Sequence, residues 1–108
     1  MISRHWNTTT RPGQAQRYVE HLRREIWPML SAIPGFLRVT VLRREVADGT
    51  EFRVVTEWES LDAIRAFAGA NPELAVVPEV VQGMMVRFDR QVAHYEVADT
   101  HAPGGPRR

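Results

Sequence analysis

The chain has 108 residues, 44% of them hydrophobic and 25% charged, with a formal net charge of +1 and no cysteine. That length makes one domain with a modest core. The balanced charge argues against nucleic acid or an anionic membrane as partner, and the missing cysteines remove disulfides, thiolate nucleophiles and cysteine metal sites.

The opening MISRHWNTTTRPG carries no apolar run of the signal-peptide kind, and no stretch approaches a membrane span, so the expected location is cytoplasmic. Met1 to Thr9 alternates as a strand, with Ile2, Arg4, Trp6 and Thr8 pointing one way and Ser3, His5, Asn7 and Thr9 the other. Arg11, Pro12 and Gly13 break it. Gln14 to about Ile33 keeps helical spacing through Tyr18, Leu22, Ile26 and Leu30. Pro28 lies inside that segment, without an amide hydrogen and in conflict with the carbonyl four residues earlier, which predicts a kink or a break near Trp27. Pro34 and Gly35 end the helix, and a second strand runs from Phe36 to about Glu45. Asp48 and Gly49 then centre a hairpin turn.

The third strand, FRVVTEW, runs straight into a helix. Phe52, Val54, Thr56 and Trp58 alternate with Arg53, Val55 and Glu57. Ser60 is placed to cap the helix, Asp62 favours its positive first turn, and Leu61, Ile64, Phe67 and Ala68 share one face up to Gly69. Trp58 and Phe67 therefore meet at one sheet–helix junction, read either as core packing or as the wall of a ligand box. A last helix is predicted from Pro78, with Val77, Val80, Val81, Met84, Met85 and Phe88 on its buried side. A final strand follows from Gln91 to Ala98. The Pro/Gly-rich tail, 99–108, is expected to be disordered beyond a domain of residues 1–98.

The order strand, helix, strand, strand, helix, strand is the split β-α-β of a ferredoxin-like α+β domain with a four-stranded antiparallel sheet. Right-handed crossovers place the first strand between the third and the fourth. The sheet face away from the helices, with Leu37, Val39, Val41, Tyr95 or their alternates, is too apolar for water and needs a cover.

The run T-x-W-x-S-x-x-A-I-x-x-F-A-G (Thr56, Trp58, Ser60, Ala63, Ile64, Phe67, Ala68, Gly69) is preceded by P-G-F (Pro34 to Phe36) and followed by H-Y-E-V (His94 to Val97). In this order the motifs resemble the antibiotic biosynthesis monooxygenase family, over nearly the whole chain from Met1 to about Val97. The resemblance implies a dimeric α+β barrel, a homodimer whose second subunit covers the bare sheet face. It also implies an oxygenase needing no metal, flavin or haem, with molecular oxygen and a small aromatic molecule such as a hydroquinone or polyketide phenol as reactants. Haem-degrading relatives carry a histidine on the late helix, where this chain reads Ala75, Val76, Val77, Pro78, so haem degradation is not expected.

By the same resemblance, Asn7 and Trp58 are candidates to hydrogen-bond near the reacting oxygen, and His94 or His5 to accept the phenolic proton. Trp27, Phe67 and Met84 are candidate pocket walls. Taking the first and third strands as parallel neighbours, Asn7 and Trp58 are expected to converge on one apolar box. Alternative readings stand beside these: Asn7 as a turn residue bonding its own backbone, Met84 as core, Trp27 as packing at the kink. His5, His21, His94 and His101 form no H-x-x-x-H or H-x-x-E-H pair, so no metal site is expected. A non-catalytic ligand-binding or structural dimer of the same fold is the alternative function.

Overall fold

The computed structural model describes residues 1–104. Strand β1 (Ile2–Thr10) leads into a helix made of α1 (Ala15–His21), a π-helical stretch (Leu22–Ile26) and α2 (Trp27–Ser31). Strands β2 (Phe36–Val46) and β3 (Gly49–Trp58) form a hairpin, followed by α3 (Leu61–Ala68), the single turn α4 (Glu79–Gln82), and strands β4 (Met85–Phe88) and β5 (Ala93–Glu96). Where the distortion is expected, the helix takes a π-helical stretch: the Trp27 amide bonds back to the Leu22 carbonyl, one residue further than in an α-helix, just before Pro28. Ser60 caps α3 as its sequence suggests, its Oγ accepting from the Ala63 amide at 3.2 Å. Gly49 closes the hairpin against β1, where an added Cβ would stand 1.9 Å from the Thr10 carbonyl oxygen.

The sheet is α+β and antiparallel throughout, in the order β2-β3-β1-β4, with β5 also on β1. β4 pairs with Thr8–Thr10 and β5 with Ile2–His5, so two short strands divide the fourth position between them. Two sequence expectations are corrected here. The segment holding Met85 and Phe88 is a strand, not the end of a long helix. Its backbone satisfies the open edge of β1, and that pairing outweighs the helical spacing of its apolar residues. β1 and β3 are antiparallel neighbours, with Ile2 opposite Trp58 and Asn7 opposite Arg53. The crossover aligns β1 with β2 and the tight hairpin then reverses β3, so the two strands cannot run parallel.

The helix-side face of the sheet carries Arg4, Trp6, Phe52, Val54, Thr56 and Trp58. It packs two core clusters, one around Tyr18, Leu22, Phe52, Val81, Met84 and Met85, the other around Leu30, Trp58 and Ile64. Tyr18 meets Phe52 edge-on at 5.0 Å, and burial pushes its phenol pKa up. Val39 and Val41 register with Thr56 and Val54, on this same face. The outer face instead presents exposed Leu42 and Tyr95 among charged side chains: Arg44 pairs with Glu51 and Arg38 with Glu57. Residues 99–104 have no regular structure beyond a turn, and the rest of the expected tail, 105–108, lies outside the described residues.

Candidate functional site

Between sheet and helices lies a cavity of about 70 Å³. β1 contributes Arg4 and Trp6, and β3 contributes Val54 and Thr56. The π-helical stretch and α2 contribute Ile26, Trp27 and Leu30, α3 contributes Phe67, and the segments flanking α4, β4 and β5 contribute Val76 and Val92. Strand alternation places the first four on one face, and the π-helical stretch sets Trp27 over them. Trp27 also borders a groove of about 410 Å³ along β2, lined by Val39, Val41 and Phe52, so this one residue lines both spaces.

The polar chemistry of the cavity is sparse. Trp6 Nε1 donates to the Asp89 carbonyl at 2.6 Å, where β4 gives way to β5. Thr56 Oγ1 accepts from Trp58 Nε1 at 2.8 Å. Arg4 is only 5% exposed. Its Nη2 donates to the carbonyls of Pro72 at 3.2 Å and Leu74 at 3.0 Å, while Nε is buried without a partner. Among the described residues no carboxylate forms an ion pair with it. Its Cζ sits 5.4 Å from the centre of the Phe67 ring. Burial lowers the Arg4 pKa to about 10, because a guanidinium away from water loses hydration of its charged form.

The residues expected from sequence divide sharply. Trp27 and Phe67 line the cavity. Trp58 is fully buried behind it, stacked on Phe67 at 5.9 Å with its indole N–H engaged by Thr56. The box formed by Asn7 and Trp58 does not exist. Asn7 lies on the opposite sheet face, donating to Glu51 at 2.9 Å and accepting from Arg53 Nε at 3.1 Å, a cross-strand link in mid-strand, not a turn. His5 is on that outer face too, 2.8 Å from Ser3 Oγ and edge-on to Tyr95 at 4.9 Å. Burial, then the Arg53 charge, lower its pKa. His94 stands opposite Arg4 in the β1–β5 register but borders a different cleft, with Asn71, Pro72 and Glu73. Its Nε2 is buried without a partner; its pKa is lowered by burial first and then by Arg4, against an opposing pull from Glu73. Met84 is core.

Arg4 and Trp6 were not singled out from sequence. The signal was an arginine inside the alternating set Ile2, Arg4, Trp6, Thr8, all on the inward face. Among the described residues no group of three or more His, Asp or Glu is placed to hold a metal. The cavity lining offers no imidazole, thiolate or phenolate to an iron, so its residues do not fit a haem site.

A family model for antibiotic biosynthesis monooxygenases matches residues 1–77. No curated protein matches the chain. Among solved structures, a Bacillus cereus protein assigned to antibiotic biosynthesis monooxygenases is 23% identical at a TM-score of 0.67, covering 94% of this chain and 95% of that one. The monooxygenase from the gene ActVA-Orf6 of Streptomyces coelicolor, in complex with nanaomycin D, is 21% identical at a TM-score of 0.68, covering 95% and 92%. The haem degrader MhuD of Mycobacterium tuberculosis is 22% identical at a TM-score of 0.58, covering 94% and 100%. These likenesses share the fold, across proteins of different chemistry.

Proposed function

The chain belongs to the antibiotic biosynthesis monooxygenase family, and from that premise we propose that it is a cofactor-independent monooxygenase acting on a small aromatic molecule held between sheet and helices. The observation that carries this reading is the cavity walled by Trp6, Trp27 and Phe67, with a buried arginine as its one charged group. Flat aromatic walls suit a flat ring, and exclusion of water favours an electron-rich anion giving an electron to oxygen. For an anthrone-like substrate the methylene is oxidised to a carbonyl. One oxygen atom enters the product, the other leaves as water, and the four electrons come from the substrate.

The cavity of about 70 Å³ is smaller than the roughly 300 Å³ from which ligand pockets usually begin. On binding, Trp27 turns aside and joins it to the groove along β2, which Trp27 also lines. The solution form proposed is a homodimer through the outer sheet face, where Leu42 and Tyr95 are exposed; a stable monomer by light scattering at micromolar concentration would refute it.

Incubation with an anthrone or naphthohydroquinone probe under labelled oxygen, without added cofactor, tests the activity. One labelled oxygen in the product supports it. Binding without turnover favours the second reading, a non-catalytic ligand-binding dimer. That reading draws support from a lining with no carboxylate or imidazole to take a proton.

A further inference from the structure

We propose that Arg4 is the specificity-determining residue of the cavity, and that the ligand it selects is an aromatic ring bearing an oxyanion. The inference rests on the aromatic-substrate reading above and narrows it. Arg4 is buried, lines the cavity, and has two backbone carbonyls but no carboxylate as partners. A buried cation without a counter-ion is destabilising, and carbonyl dipoles offset only part of its lost hydration. Its lowered pKa, about 10, reflects the same deficit.

A carbonyl-bonded arginine serving only to anchor the 72–74 segment would gain nothing from a second, unsatisfied side. Here Nε has no partner, and the guanidinium rests near the Phe67 ring that also walls the cavity. A ring lying among Trp6, Trp27 and Phe67 would bring a substituent oxygen within reach of that guanidinium. An ionised oxygen there supplies the missing negative charge, whereas a neutral one leaves the cation uncompensated. His94, across the β1–β5 register, and Glu73 border the neighbouring cleft and do not line this cavity. Arg4 moves no proton in this scheme. It holds the ionised form of the ligand, the form from which an electron can leave.

The test compares three probes on the full chain by calorimetry or fluorescence quenching. They are 2-hydroxy-1,4-naphthoquinone, which is ionised at neutral pH, its neutral 2-methoxy analogue, and 2-naphthoate. The wild-type chain is expected to bind the hydroxyquinone about tenfold or more tighter than the methoxy compound, the scale of one charge-assisted hydrogen bond. Arg4→Met should erase that preference while the methoxy affinity changes by less than about threefold, a split that a mere anchoring role would not produce. Naphthoate binding as tightly as the hydroxyquinone identifies any ring oxyanion as ligand; a preference for the hydroxyquinone identifies a phenolate-type oxygen. Should Arg4→Met fail to fold, Arg4→Lys and the wild-type ratio decide, with lysine keeping a reduced preference. Equal wild-type affinity for charged and neutral probes, or a preference that survives in Arg4→Met, overturns the proposal. Binding of none of the three overturns it as well. A clear charge preference without any turnover refutes the monooxygenase reading alone.

Discussion

Replacing Trp58 with phenylalanine separates a core residue from a ligand-binding one. Trp58 is fully buried, stacked on Phe67 and edge-on to Phe36 at 5.3 Å. Its indole N–H donates to Thr56 Oγ1 at 2.8 Å. Phenylalanine keeps a ring but removes that donor, leaving the hydroxyl of a threonine that is only 7% exposed. Losing the partner of a buried polar group costs about 1–3 kcal/mol. The missing part of the indole leaves a void of roughly 40 Å³, adding about 1 kcal/mol at about 24 cal/mol per Å³. The total, about 2–4 kcal/mol, corresponds to a drop in Tm of roughly 8–20 °C for a domain of this size. Denaturant melts of Trp58→Phe, Thr56→Val and the double variant measure it. The double variant should be more stable than the sum of the singles predicts, because it removes both ends of one bond. Ring-probe affinity should change little. A variant with unchanged stability and abolished binding would refute the packing argument and place the indole in contact with ligand.

Ser60→Ala should lower stability by about 1 kcal/mol in chemical denaturation, because it removes the acceptor for the Ala63 amide at the start of α3; no change would mean that water replaces the cap. The Asp48 carboxyl is held below the usual carboxylate range chiefly by the hydrogen bond from Arg87 Nη1 at 2.6 Å. Since the folded value is the lower one, its stabilisation is present above the unfolded value and lost as pH falls through the folded one. Asp48→Asn should therefore flatten part of the decline in denaturation midpoint between about pH 5 and pH 2, and an unaltered profile would show that the pair is too solvated to matter. Haemin titration should give no stoichiometric Soret shift, as the cavity lining supplies no iron ligand; a shift abolished by replacing His21 or His94 would reverse that conclusion.

Much of the scaffold is written locally. The alternation of Phe52, Val54, Thr56 and Trp58, the cap at Ser60 and the glycine at 69 define a strand–helix unit whose hydrogen bonds are satisfied within a few residues, and it folds as its sequence reads. The distortion ahead of Pro28 is equally local, since a missing amide hydrogen disturbs its own helix wherever that helix lies. Trp27 and Phe67 were legible as pocket walls because they leave those two elements at defined points. The stretch from Val77 to Phe88 was not legible, because its apolar residues keep helical spacing although its last four residues pair as a strand. Only the open edge of β1, contributed by residues some 80 positions away in sequence, made Met85–Phe88 a strand.

The site was decided in the same non-local way. Alternation shows that Asn7 and Trp6 face opposite sides of the sheet, but not which side meets the helices. The antiparallel register with β3 settles that, sending Asn7 out to Glu51 and Arg53 and turning Trp6 and Arg4 inward. A pleated strand assigns its residues to two faces by local geometry alone. Which face becomes a cavity depends on what the rest of the chain packs against it. The sequence by itself therefore determined the elements up to α3 and the family, and the tertiary structure decided that Met85–Phe88 is a strand and that an arginine, not an asparagine, stands in the pocket.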